Sequence, residues 1–221
     1  MMRPSVSKLL QPILITDRLV LRAHTAADFA ACCTLWADPD VTRYIGGRPS
    51  TPEEVWSRIL RYAGHWQLLG YGYFLATDRA TGGIVGEFGL ADFHRDIEPS
   101  LGATPEAGWA MLPQFQGRGL AREALGAVLG LADQSMPRTV CLIDPDNAPS
   151  LRLAARLGYT EYARTTYKEH ASILFERPSP PPLRERSARR VRGPCYSRSS
   201  AIPAGTSRSN TSTPSTTVNR P

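Results

Sequence analysis

The stretch "EAGWAMLPQFQGRGLAREALGAVLGLA", Glu106 to Ala132, changes its hydrophobic period partway along. Before Pro113 the apolar residues read as a strand. After Gly119 they recur at helical spacing, and two glycines flank Arg118 at the change. A strand that feeds a helix through so short a turn points to a mixed α+β chain. The neighbouring segments agree. "ILITDRLVLRAH" (Ile13 to His24) alternates as a half-buried strand does. "TAADFAACCTLWADP" has helical spacing, a Thr25 cap and a stop at Pro39. The next helix starts at Ser50 or Thr51 with Pro52 in its first turn, and Val55, Ile59, Tyr62 and Trp66 share one face. "GYGYFLATDR" and "GGIVGEFGLADFH" are strands around a hairpin-like "DRATGG". "TVCLIDPD" reads as a buried strand, "NAPSLRLAARLG" as a helix capped by Asn147 and ended by Gly158, and "YTEYARTTYK" and "ASILFER" as closing strands. The expected order is β-α-α-β-β-β-α-β-α-β-β.

Three regions follow: residues 1–12 as an extension, 13–177 as one domain, and 178–221 as a tail rich in Pro, Ser, Thr and Arg that should be disordered. The net charge of +6 belongs to that tail, whose eight arginines and one glutamate leave the rest of the chain near −1. The basic balance therefore gives no reason to expect nucleic acid as a partner of the domain. No apolar run approaches the roughly 20 residues that span a bilayer, so no membrane is expected. Cys32, Cys33, Cys141 and Cys195 show no CxxC spacing and read as reduced, mostly buried thiols in a cytoplasmic setting, with no metal.

The glycines have a physical reading. The first turn of a helix leaves about four N–H groups without internal partners and carries the positive end of the dipole. Gly117 and Gly119 let an anion approach that backbone, and Arg118 and Arg122 add charge, so the turn suits a phosphate or pyrophosphate. A plain tight turn remains the alternative. A P-loop is excluded because no lysine follows Gly119. A dinucleotide fingerprint would need a glycine where Arg122 stands, although Asp144 and Asp146 imitate its ribose-binding acid.

"QFQGRG", Gln114 to Gly119, resembles the Q/R-x-x-G-x-G/A motif of the GNAT acetyltransferase superfamily. "TDRLVLRAHTAADF", "EAGWAMLPQFQGRGLAREAL" and "DPDNAPSLRLAARLGY", in this order, resemble its RimJ/RimL-like branch of ribosomal-protein N-acetyltransferases across residues 13–177. The resemblance implies the GNAT acyl-CoA N-acyltransferase fold: a mixed sheet of about seven strands, a splayed cofactor-binding strand pair and four helices. It also implies acetyl-CoA as co-substrate, with its pyrophosphate on Gln116, Gly117, Arg118, Gly119, Leu120 and Ala121. The pantetheine arm would pair with backbone at Met111 and Leu112 and meet the Asn147 side chain, which otherwise serves only as a helix cap. An amide near Leu112 would stabilise the oxyanion of direct amine attack on the thioester.

Many members donate a proton to the departing thiolate from a tyrosine, but Ala154 occupies that position here. The branch often has a serine three residues after the asparagine, and Ser150 is the candidate donor. Glu106 matches a glutamate common in the branch. Glu87, inside "GIVGEFGL", is the other candidate base, and His94 a third. Tyr44 and Arg48, in the "TRYIGGRPS" loop, are candidate acceptor contacts, whereas Trp56, Tyr62 and Trp66 read as core. The acceptor is an amine, a protein N-terminus or a small molecule, and the chain a monomer or homodimer. A GNAT-fold acyl-CoA-binding module without chemistry is the competing reading, and a nucleic-acid binder acting through the tail a third.

Overall fold

The computed structural model describes residues 12–181. Its sheet has eight strands in the order β1-β2-β3-β4-β5-β6-β8-β7. The strands are β1 Leu14–Ile15, β2 Leu19–Arg22, β3 Tyr73–Asp78, β4 Ile84–Ala91, β5 Glu106–Met111, β6 Arg138–Ile143, β7 Thr160–Tyr167 and β8 His170–Pro178. The helices are α1 Phe29–Ala37, α2 Pro39–Thr42, α3 Pro52–Leu69, α4 Leu120–Ala132 and α5 Ala148–Arg156.

The eighth strand arises because the expected single strand from Ile13 to His24 folds back on itself. Thr16 and Leu19 exchange hydrogen bonds through backbone and the Thr16 hydroxyl, so β1 returns antiparallel onto β2 with Leu14 opposite Leu21. The fifth helix arises at Pro39. Expected as a stop, it opens α2, because Asp38 caps the amides of Asp40 and Val41. Thr51 caps α3 through a reciprocal box with Glu54.

Each face of the sheet is covered. Phe74, Val85, Phe88, Leu90 and Ala107 pack under Leu125, Val128 and Leu129 of α4. On the other face, Leu75, Ala110 and Leu112 pack under Leu35 and Trp36 of α1 and Val55 and Ile59 of α3. Each of these large side chains contributes roughly 1.5–3 kcal/mol by leaving water. Tyr62 and Trp66 are buried as expected, but Trp56 is exposed, with its ring edge-on to Phe29. Cys32 and Cys141 are buried and Cys33 is half-buried, all free thiols; Cys195 lies outside the described residues.

The strand pairing of β5 is asymmetric. It pairs with β4 along its whole length, whereas its parallel pairing with β6 has one registered pair, Glu106 with Val140. Beyond that pair β5 and β6 have no registered partners on each other, while β6 stays paired with β8 throughout. The sheet is thus split on the C-terminal sides of β5 and β6, where α4 and α5 begin. At the opposite ends of these strands, Ser100, Gly102, Thr104, Pro137 and Arg138 line a cavity of about 750 Å³, which includes none of the expected site residues. β8 continues to Pro178, and Ser179 donates its amide to Pro137, so the first residues of the expected tail are hydrogen-bonded to the domain. Residues 1–11 of the expected extension and 182–221 of the tail lie outside the described residues.

Candidate active site

Two features meet at the split in the sheet: a helix start without a side-chain cap and a row of backbone groups facing the gap. Gly117 and Gly119 both have left-handed φ, +72° and +77°, and Gly119 is the N-cap of α4 with no side chain capping it. A β-carbon at Gly117 would meet nothing within 4 Å, so space for a ligand lies over the turn. The first intrahelical bond there runs from the Glu123 amide to the Gly119 carbonyl, so the amides of Leu120, Ala121 and Arg122 have no partner within the helix. Gln116, Arg118 and Arg122 are exposed beside them. Such a turn can hold a diphosphate.

The backbone of β5 decides which residues face the gap. The Leu112 amide donates to Val85 on β4 at 3.0 Å, and its carbonyl accepts from Phe115. Antiparallel ladders alternate, so the backbone groups of Ala110 and Gly108 also turn to β4. Those of Trp109 and Met111 turn the other way, into the gap. The expectation for Leu112 is corrected on this point: both of its backbone groups are occupied, its side chain is buried, and no amide of Leu112 is free for an oxyanion or a pantetheine. The Met111 carbonyl accepts from the Gln116 side chain at 3.4 Å.

Across the gap, the Asn147 side chain accepts from the Ser150 amide at 3.2 Å and caps α5. The Ser150 hydroxyl accepts a hydrogen bond from the Trp109 indole at 3.1 Å, bridging β5 and α5. Ala154, where a tyrosine would otherwise stand, is fully buried.

The carboxylates sit elsewhere. Glu106 is bound by both nitrogens of the Arg95 fork, and Arg95 stacks on Phe93 and Tyr167. Glu87 is fully buried. The Trp36 indole donates to one of its oxygens at 3.1 Å, and the His24 ring lies 3.2 Å from the other. The Arg58 guanidinium lies over the Trp36 ring, 3.6 Å from its centroid. Burial and the Glu87 charge drive the neighbouring Cys32 thiol far upward, so it stays protonated. His24, Cys32 and Glu87 bring donor atoms within 4.8 Å of one another and could hold a metal ion by donor type; the Trp36 indole occupies one Glu87 oxygen, while the other and both His24 ring nitrogens have no hydrogen-bond partner among the described residues. His94 is 87% exposed on its loop, away from this cluster.

Of the acceptor candidates, Tyr44 is half-buried in the loop before α3. Arg48 grips Glu54 with both terminal nitrogens, 3.0 and 2.6 Å, and these bonds hold the Glu54 carboxyl down at about 2. The Arg48 guanidinium therefore secures the start of α3 rather than standing free. Trp109 carries no local sequence signal: its partner Ser150 is 41 positions away, so only the folded chain brings the two together.

A family model described as an acetyltransferase (GNAT) domain matches residues 18–160. YkkB of Bacillus subtilis (strain 168), an uncharacterized protein, is 31% identical over 175 residues, covering 75% of this chain and 95% of its own. A solved structure from Bordetella pertussis, named as a GnaT-family acetyltransferase, is 36% identical with a TM-score of 0.68, covering 75% of this chain and 99% of its own. RimL, a ribosomal L7/L12 alpha-N-protein acetyltransferase solved in complex with coenzyme A, has the same fold at 19% identity and a TM-score of 0.62, covering 76% and 98%.

Proposed function

Because the chain belongs to the GNAT acetyltransferase family, we propose that it transfers acetyl from acetyl-CoA to a primary α-amine by direct attack in a ternary complex. The observation that carries this reading is the conjunction at the split sheet. The uncapped glycine turn, the outward-facing amides of Trp109 and Met111, and the Ser150 hydroxyl all border one gap.

Gly117, Gly119 and the first amides of α4 hold the diphosphate, with Arg118 and Arg122 adding charge. The backbone of Trp109 and Met111 pairs with the pantetheine arm, and an amide of this pair receives the oxyanion. Asn147 keeps its cap through its oxygen, leaving its amide nitrogen to meet the arm. The amine nitrogen bonds to the carbonyl carbon, and the carbon–sulfur bond then breaks. The sulfur departs with the electron pair and takes a proton, and the new ammonium gives one up.

Trp109 makes Ser150 a suitable proton source. An indole N–H can only donate, so the Ser150 oxygen must accept from it and its own hydrogen is left to point elsewhere. The thiol has a reference pKa of about 8.5, so the demand on the donor is small. Solvent reprotonates the serine.

The acceptor class follows from the bases. Glu106 is held by Arg95 and Glu87 is shut away from solvent, so neither faces the gap as a free carboxylate. An α-amine of pKa about 8 is roughly 10% neutral at pH 7 and needs little help, whereas a lysine at about 10.4 is neutral to only about 0.04%. This favours a protein N-terminus, or a small molecule with a similarly acidic ammonium. The test is thiol release and peptide mass with acetyl-CoA and a panel of N-terminal peptides, comparing the wild type with Ser150→Ala. The account predicts a gain of one acetyl at the N-terminus and a kcat roughly ten- to a hundredfold lower in the variant, at unchanged KM for acetyl-CoA. An unchanged kcat would remove Ser150 from the mechanism.

A further inference from the structure

The hairpin that split the first expected strand ends on the cofactor turn. Arg18, in the turn between β1 and β2, donates through its terminal nitrogen to the Arg118 carbonyl at 2.9 Å. Its Nε meets the Glu123 carboxylate at 2.7 Å, and its other terminal nitrogen meets the same oxygen at 2.6 Å. The second carboxylate oxygen accepts from the Arg18 amide at 2.9 Å and the Thr16 hydroxyl at 2.6 Å. The base of this strut is itself pinned. Arg79 donates its amide to the Arg18 carbonyl and its guanidinium to the carbonyls of Thr16 and Asp17.

We propose that Arg18 is the positioning residue of the diphosphate turn, a role that rests on the acetyl-CoA reading above. It acts in two ways. By holding the Arg118 carbonyl, it fixes the peptide between the two left-handed glycines and so the direction in which the following amides point. By pairing with Glu123, it neutralises an anion one turn into α4, which would otherwise repel a phosphate at the same helix end. Glu123 is four-fifths buried, so solvent screens that repulsion less than it would at an open surface. Arg18 remains about half exposed, with its Nη2 3.7 Å from where a β-carbon of Gly119 would stand, so it borders the ligand space directly.

The experiment compares two acetyl donors, acetyl-CoA and acetyl-pantetheine, which carries the same thioester arm without diphosphate or nucleotide. Wild type, Arg18→Met, Arg18→Lys and Glu123→Gln are assayed with both, and their folding is checked by near-ultraviolet circular dichroism. Arg18→Met should raise KM for acetyl-CoA roughly tenfold or more, with kcat within about twofold and acetyl-pantetheine turnover unchanged. Arg18→Lys keeps the charge but cannot span carbonyl and carboxylate together, and should fall between. In Arg18→Met, the added Glu123→Gln change should recover part of the loss. Equal losses with both donors, or an acetyl-CoA KM unchanged in both Arg18 variants, would overturn the inference alone. A wild type that shows no preference for acetyl-CoA over acetyl-pantetheine would overturn the reading of the turn beneath it.

Discussion

A single donor-only side chain decides what Ser150 can do. If the Trp109 indole directs the serine proton toward the sulfur, Trp109→Phe should lower kcat several-fold at unchanged KM for acetyl-CoA. Adding Ser150→Ala should lower it little further, because the two act as a unit. Steady-state kinetics on the four variants measures this, and independent, multiplicative losses would separate the two residues. Ser150, Asn147 and Gly117–Gly119 were legible in the sequence because each belongs to a short local block. Trp109 and Arg18 were not, since each acts on a partner 41 or more positions away. The Leu112 amide turns to β4 rather than to the gap. Backbone parity across β4 and β5 depends on register, which the amino-acid order alone leaves open.

Among elements, the close approach of β3, β4 and β5 depends on missing side chains. The Tyr73 ring crosses the sheet over Gly89 and brings its hydroxyl against Gly108, where a β-carbon would collide with it. Tyr73 cannot swing away freely, because it stacks on Tyr62 at 4.3 Å and 7°. Gly108→Ala should therefore destabilise the protein by about 1–3 kcal/mol, read as a lower urea midpoint. The double variant with Tyr73→Phe, which removes the colliding oxygen, should recover part of it. No loss in the single variant would contradict this packing. The helices and most strands were legible because their periods and caps are local. The back-folded β1 and the start of α2 at Pro39 were not, and the divergence of β6 from β5 was expected only through the family resemblance. Each depends on a hydrogen-bond partner that periodicity does not identify.

Over the whole molecule, carboxylates tie the sheet to its helices. Burial raises the Asp28 carboxyl, but the bidentate Arg22 and the Thr25 amide and hydroxyl outweigh this and bring it to about 2. The Arg177 fork lowers Asp133. Partial burial raises Glu123, but its bonds to Thr16 and Arg18 outweigh this and lower it too. A depressed folded-state value means that the stabilisation is complete above the usual carboxylate range and is lost as pH falls through it. For Asp28 the loss should amount to about 2 kcal/mol between roughly pH 4 and pH 2. Urea titrations over that range should show a shallower loss in Asp28→Asn, and parallel curves would refute the assignment. No helix among the described residues is long and apolar enough to cross a membrane.

Calorimetric titration with CoA tests the diphosphate turn most directly, using the wild type and a variant carrying Gly117→Leu and Gly119→Leu. The account predicts saturable heat at one CoA per chain in the wild type. In the variant, whose added side chains fill the open space over α4, the affinity should fall at least tenfold. No heat in the wild type, or equal affinity in a folded variant, would contradict it.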